Sequence, residues 1–147
     1  MGQLTILQSS LVYVDTVTII YSVEKFPNYY PLLEPIWLQL QTDKIQIITS
    51  ELTLLETLIL PIRSNATDLI KRYERLLLAS KVSSLPINRT ILKQAASLRA
   101  TSNLKTPDAI HAATALSAGC THFLTNDAGL RNVPGLSVVI LNDILNA

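Results

Sequence analysis

Short β-branched apolar runs alternate along the chain with longer segments in which apolar residues recur at helical spacing. Each run is five or six residues long, which is typical of a buried strand. The runs are LVYVD (11–15), IQIIT (45–49), VSSLPI (82–87), THFLT (121–125) and LSVVIL (136–141). Because strands that alternate with helices form parallel sheets, the pattern predicts an α/β fold. We expect a three-layer arrangement, with a central, mostly parallel sheet of about five strands flanked by helices.

Capping residues and prolines delimit six predicted helices between these strands. The first helix ends at about Glu24, and the second is opened by Pro31. The third is capped by Ser50 and runs from Glu51 to about Leu60, before Pro61, and the fourth covers residues 65–80. The fifth is capped by Asn88 and ends at about Ser102, and the sixth runs from a Thr106 cap to Gly119. Repeats, low-complexity tracts and linkers are absent from the sequence. Residues 1–147 are therefore expected to form a single domain.

Four acidic residues lie within otherwise apolar runs: Asp15, Glu56, Asp108 and Asp127. No Lys or Arg lies within four positions of Asp15 or Glu56, so a local ion pair cannot neutralise either one. Burying an unpaired carboxylate is costly. Scattered carboxylates without nearby cations predict a bound divalent ion, and oxygen ligands favour Mg²⁺ or Mn²⁺.

The predicted elements bring these acids to related positions. Asp15 ends the first strand, Asp127 follows the fourth, and Asp108 opens a helix, while Glu56 lies in the second turn of another. Ligand sites of parallel sheets form where the carboxyl ends of the strands meet. Glu51 is about 140° around the helix from Glu56, so we expect it to be solvated. Taken singly, Asp108 could be a helix-dipole acid and Asp127 a turn residue; together the four favour a metal site.

A cluster of carboxylates around divalent ions suits hydrolysis of phosphodiesters, since such ions activate the attacking water and stabilise the leaving oxygen. No histidine is required for this chemistry. His111 and His122 are predicted to be structural, and Cys120 is predicted to be a small buried residue. A Ser-His-Asp order, a Cys/His metal pattern and a glycine-rich phosphate loop are all missing from the sequence.

The net charge of +1 conceals a strong segregation of charge. Residues 61–105 hold nine basic and two acidic residues, whereas the remainder holds three basic and nine acidic residues. The basic segment could bind a polyanion or simply provide the solvated outer faces of amphipathic helices. Both explanations stay open on charge alone.

The amino-acid composition indicates how the protein could assemble and in which compartment it is expected. Hydrophobic residues make up 48% and charged residues 16%, which favours either an oligomer interface or a large α/β core. The longest weakly charged stretch, residues 1–23, carries Asp15 near its centre and no basic residue, which argues against a membrane span and a secretory signal. A single cysteine is consistent with a reducing cytoplasm.

The chain resembles PIN-domain nucleases, and specifically the VapC-type toxins of type II toxin–antitoxin pairs. The resemblance spans nearly the whole chain and rests on motifs that are weak singly but specific in this order. They are VYVDTVTIIYSVE, TSELTLLETL, AASLRA followed by LKTPDAIHAATAL, and FLTNDAGL.

The resemblance implies a PIN-like fold in which Asp15, Glu56, Asp108 and Asp127 form an acidic quartet around Mg²⁺ or Mn²⁺. Thr16 and Thr125 would orient these carboxylates or water. It further implies an endoribonuclease that dimerises and is neutralised by a cognate antitoxin. The basic residues expected to contact RNA are Lys71, Arg72, Arg75 and Arg99.

Three positions qualify the resemblance. Val17 replaces the Asn or Ser that many relatives carry. Glu24 matches a frequent acid, for which we favour a structural role over metal binding. Arg99 matches a recurrent position and could hold a carboxylate or face a phosphate.

Alternative functions differ in class. A catalytically silent PIN-like interaction module and an RNA-processing nuclease without a toxin role both remain open. A haloacid-dehalogenase-type phosphatase is disfavoured, because its second aspartate would stand at Val17.

Overall fold

A computed structural model of the protein describes residues 2–147 and contains a central five-stranded sheet. The strands are β1 (Leu11–Val14), β2 (Gln46–Ser50), β3 (Ser83–Leu85), β4 (His122–Thr125) and β5 (Val138–Ile140). Their order across the sheet is β3-β2-β1-β4-β5, and all four pairings are parallel. The predicted α/β class and the five strands are thus confirmed.

Seven α-helices occur in residues 2–147, together with a 3₁₀ helix at Ala128–Leu130. They are α1 (Thr16–Val23), α2 (Tyr30–Gln41), α3 (Leu52–Arg63), α4 (Thr67–Leu78), α5 (Arg89–Thr101), α6 (Thr106–Ala118) and α7 (Leu141–Leu145). The five-residue α7 was not predicted, since so short a segment carries no periodic signal. In that described range, no helix combines the length and apolar character needed to cross a bilayer.

The strand alternation produces two hydrophobic layers, one on each face of the sheet. Val12 and Val14 of β1 pack with buried residues of α1, α2 and α4 on one face. Tyr13, between them, packs on the other face with α5 and α6. Successive strand residues point to opposite faces, so a strand that is apolar at every position is buried on both sides.

Several predicted helix boundaries hold and three are wrong, the first being the start of α3, where Glu51 and not Ser50 is the cap residue. Asn88 accepts a hydrogen bond from the Ile91 amide (2.9 Å) as the cap of α5, and Gly119 ends α6 in the left-handed region at φ 69°. Pro61 does not end α3, which continues to Arg63. A proline has a helical φ but removes one donor and crowds the carbonyl four residues before it. Pro61 is buried, so its packing opposes that cost.

The start of α6 also differs from the expectation. Lys105 is the cap residue and Thr106 is the first helical residue. Thr106 is not the expected cap, because it lies inside the helix; its hydroxyl accepts a hydrogen bond from Arg99 Nη1 at 2.9 Å.

Candidate active site

The four acids predicted from the sequence line one pocket at the carboxyl edge of the sheet. Asp15 caps α1 after β1, Glu56 projects from α3, Asp108 lies in the first turn of α6, and Asp127 caps the 3₁₀ helix after β4. The pocket has a volume of about 420 Å³. Its lining consists of Asp15, Thr16, Val17, Tyr21, Glu56, Pro107, Asp108, His111, Asn126, Asp127 and Ala128.

Asp15 is the most rigidly held of the four. Its Oδ1 accepts hydrogen bonds from the Thr18 amide (3.0 Å) and the Thr18 hydroxyl (2.8 Å), and its Oδ2 accepts one from Thr125 Oγ1 at 2.5 Å. Burial raises the pKa of Asp15, while these hydrogen bonds act in the opposite direction. Thr125 therefore helps to hold the Asp15 carboxylate in one orientation.

Asp108 and Asp127 form a close pair of carboxyl groups. Burial raises the pKa of Asp108 to about 6, with the neighbouring Asp127 adding to the effect. Two carboxyl groups this close resist simultaneous ionisation unless a proton or a cation lies between them. Asp127 is itself fixed, because its Oδ1 accepts a hydrogen bond from the Gly129 amide at 2.8 Å.

Glu56 stands in a different environment and is held in the ionised form. Its Oε1 accepts hydrogen bonds from Thr16 Oγ1 at 2.7 Å and from His111 Nε2 at 3.0 Å. Burial would raise the pKa of Glu56, but the His111 and Thr16 hydrogen bonds outweigh it and leave the pKa below its ordinary value. Glu51, by contrast, is exposed, as expected.

His111 is the site residue whose contact with an acid the sequence did not reveal. It is buried, and its Nδ1 lies 2.6 Å from the Tyr13 hydroxyl. With Nε2–H donating to Glu56, Nδ1 accepts from Tyr13, so a single neutral tautomer satisfies both contacts. One local signal pointed to the pocket: His111 follows Asp108 by three helical positions, which places both on one face of α6.

The donor set fits a hydrated divalent cation. The pocket is lined by four carboxylates and by no Lys or Arg. Over residues 2–147, however, no three His, Cys, Asp or Glu side chains are grouped closely enough to hold one ion together. Mg²⁺ commonly keeps several waters and uses one or two carboxylates. The Asp108–Asp127 pair meets this requirement, whereas side-chain donors of the protein already engage Asp15 and Glu56.

The basic residues predicted to contact RNA lie outside the lining of this pocket; they are Lys71, Arg72, Arg75 and Arg99. Arg72 Nη2 donates to the Val23 carbonyl at 2.6 Å, which ties α4 to the end of α1. Arg99 Nε donates to the Leu104 carbonyl at 3.0 Å and so bridges the α5–α6 turn. Lys71 and Arg75 are exposed on α4. A role in RNA binding stays a prediction for all four.

Glu24 and Val17, the other two positions singled out in the sequence, have different surroundings. The Glu24 carboxylate accepts a hydrogen bond from the Tyr73 hydroxyl and so joins the end of α1 to α4. Val17 contributes an apolar, partly exposed side chain to the pocket wall.

Comparison with known proteins points to one family. A family model described as the PIN domain matches residues 12–136. No curated protein sequence matches the chain.

Solved structures share the fold at low sequence identity. VapBC2 from Rickettsia felis, bound to a promoter DNA fragment, has 16% identity and a TM-score of 0.71 over 88% of this chain and 98% of that one. A toxin–antitoxin complex from Klebsiella pneumoniae has 21% identity and a TM-score of 0.65 over 88% and 97%. DNA-bound VapBC from Salmonella typhimurium has 18% identity and a TM-score of 0.59 over 92% and 99%. At these identities the likeness establishes the fold alone.

Proposed function

The chain belongs to the PIN-domain family, and from that premise we propose that it is a divalent-metal-dependent endoribonuclease, the toxin of a type II toxin–antitoxin pair. In this proposal residues 1–147 form a single PIN-like domain that acts in the cytoplasm. The observation that carries the proposal is the pocket lined by Asp15, Glu56, Asp108 and Asp127 without an accompanying Lys or Arg. Such a site attracts cations and requires one before it can accept a phosphate.

The residues have distinct parts in the proposed reaction. Asp108 and Asp127 would hold Mg²⁺ or Mn²⁺, with Asp15 and Glu56 completing the acidic quartet. A divalent ion, when bound, neutralises phosphate charge and makes water a stronger acid at neutral pH. Thr125 and Thr18 keep the Asp15 oxygens fixed. His111 and Thr16 keep Glu56 ionised, so that it can orient water or accept a proton.

A protein partner is supported by two observations. The similar solved structures include VapBC and toxin–antitoxin complexes, so we propose a cognate antitoxin for this chain. In addition, α3 exposes a set of large apolar side chains: Leu55, Ile59, Leu60 and Ile62. Exposed apolar clusters mark protein interfaces, and a homodimer or an antitoxin contact would cover them.

The test is cleavage of total RNA by the purified protein in Mg²⁺, Mn²⁺ or EDTA. We expect cleavage with metal by the wild type and none by Asp15→Asn. The matched control is Asp68→Asn, because Asp68 lies in the first turn of α4, is exposed and lies outside the pocket lined by the four acids, which we call the acidic pocket. Cleavage by Asp15→Asn at the wild-type rate would exclude the site.

Two alternatives would give different results. A folded wild type that cuts no RNA under any metal condition would favour a silent interaction module. An active nuclease whose expression does not arrest growth, with no antitoxin-like reading frame beside its gene, would favour an RNA-processing role.

A further inference from the structure

A second cavity of about 640 Å³ adjoins the acidic pocket and shares two of its acids. We propose that this cavity, which we call the base cavity, takes one unpaired base of the RNA strand, from the nucleotide next to the cleaved phosphodiester. The inference rests on the proposed function. Besides the two shared acids, the lining of the base cavity includes Asn103, Leu104, Lys105, Asn132 and Val133.

The position of the base cavity follows from the shared acids. Asp108 and Asp127 line both cavities, so they form the boundary between them. A phosphate beside this carboxylate pair, which would need a bound divalent ion there, would leave an adjoining nucleoside at the mouth of the base cavity. Recognition of unpaired RNA commonly turns bases out of the strand into such cavities beside the backbone.

Some polar side chains of the base cavity already hydrogen-bond to the protein, and others do not. The hydroxyls of Thr101 and Ser102 donate to backbone carbonyls of α5, so they are already engaged. The amides of Asn103 and Asn132 are exposed, and within residues 2–147 neither side chain hydrogen-bonds to another protein group. An amide offers both a donor and an acceptor, which is the pattern needed to bind the edge of a base.

Other lining residues suit the apolar faces of the base and the neighbouring phosphate. Leu104 and Val133 are buried and provide an apolar floor on which the faces of a base can pack. Lys105 is exposed, and within the described range it has no acidic partner at salt-bridge distance. It is the cation nearest in sequence to the acidic pair, and a lysine there would neutralise a backbone phosphate.

The walls of the base cavity are held in place before any ligand binds. Arg99 bridges the Leu104 carbonyl and the Thr106 hydroxyl, which fixes the turn that carries Asn103 and Lys105. At the boundary with the neighbouring pocket, Asp127 Oδ1 accepts a hydrogen bond from the Gly129 amide. A preformed cavity spends less binding free energy on ordering than a mobile one. Arg99 is thus a positioning residue of the base cavity.

The first experiment maps cleavage sites in an RNA library of random sequence. We expect the wild type to prefer certain bases at one position beside the cut. Asn103→Ala and Asn132→Ala should weaken that preference by roughly 10- to 100-fold, the usual value of a bidentate contact to a base. The control is Asn28→Ala, an exposed asparagine outside both cavities, which should keep the wild-type preference. Unchanged preferences in both cavity variants would overturn the inference.

A second experiment removes the base instead of the amide. Short RNAs that contain one cut site, intact or abasic on its 5′ or 3′ side, are bound to Asp15→Asn protein and followed by fluorescence anisotropy. Loss of one flanking base should weaken binding by about 10-fold or more. In the Asp15→Asn protein that also carries Asn103→Ala and Asn132→Ala, the same loss should change binding by less than about twofold. Equal losses in both proteins would refute the base cavity.

These outcomes separate the two proposals. Cleavage that depends on Asp15 but is indifferent to Asn103 and Asn132 would retain the nuclease and reject the base cavity. Base-dependent binding without any cleavage by the wild type would reject the nuclease and retain RNA recognition in the cavity.

Discussion

His111 Nε2 lies 3.0 Å from Glu56 Oε1, and this contact links α6 to α3 across the acidic pocket. The two residues are 55 positions apart in the chain. The imidazole in turn contacts the hydroxyl of Tyr13 in the central strand. A chain of hydrogen bonds, buried at Tyr13 and His111, therefore runs from the sheet to one of the four candidate metal-binding acids and fixes its orientation.

Removal of this histidine should affect both stability and Glu56. We expect His111→Ala to lower the free energy of unfolding by about 1–3 kcal/mol, because it leaves the Tyr13 hydroxyl without its partner. It should also raise the pKa of Glu56, since the His111 hydrogen bond lowers that pKa. Urea denaturation and NMR titration of the Glu56 carboxyl measure the two effects. His122→Ala serves as the control, since His122 lies outside the pocket; a comparable rise of the Glu56 pKa in that variant would contradict the assignment.

The pH dependence of stability should report on Asp108. Its pKa of about 6 in the folded protein exceeds the ordinary value of 3.8, so the folded state binds this proton more tightly than the unfolded chain. The contribution of Asp108 to the metal-free free energy of unfolding should therefore fall as the pH rises from about 4 to 6 and stay low above that range. Asp108→Asn should be more stable than the wild type at pH 7.5 and lose that advantage towards pH 4. Asp68→Asn is the matched control, and urea titrations at several pH values provide the measurement. Equal stability of Asp108→Asn and wild type at pH 7.5 would show that the ionised Asp108 carboxylate does not destabilise the folded protein.

Metal binding should stabilise the wild type and depend on the carboxylate pair. A ligand at 100 times its Kd adds about 2.7 kcal/mol to the free energy of unfolding. We expect Mg²⁺ or Mn²⁺ to raise Tm in the wild type and in Asp68→Asn, with reversal by EDTA. Asp108→Asn and Asp127→Asn should lose most of this rise, because each removes one carboxylate of the pair. A full metal-dependent rise in the Asp108→Asn, Asp127→Asn double variant would place the ion elsewhere.

The basic face of α4 should contribute to RNA affinity through charge alone. Each phosphate contact adds about 0.7 to the slope of log K against log salt for single strands. The double variant Lys71→Gln, Arg75→Gln should therefore reduce that slope by about 1.4. Arg72 is left intact, because it holds the Val23 carbonyl. Lys44→Gln, an exposed lysine outside the basic segment, is the control; an unchanged slope in the double variant would remove α4 from the RNA path.

Much of the fold could be predicted because its signals are local. The apolar run ending at Val14 needs only its own residues to indicate a buried strand, and Gly119 permits the left-handed turn that ends α6. The errors arose where tertiary contacts override a local rule. Pro61 is itself buried and stays within α3, and Thr106 lies inside α6, where its hydroxyl accepts a hydrogen bond from Arg99 of the preceding helix.

The candidate site divides in the same way. The sequence by itself marked Asp15, Glu56, Asp108 and Asp127, since a charged side chain inside an apolar run is costly wherever the run folds. Only the tertiary structure decided that Glu56 is held by His111 and Thr16, that Asp108 faces Asp127, and that a second cavity opens beside that pair. The neighbouring residues in the chain predict whether a side chain is buried. Its hydrogen-bond partner depends on how helices distant in sequence pack together, and local periodicity does not predict that packing.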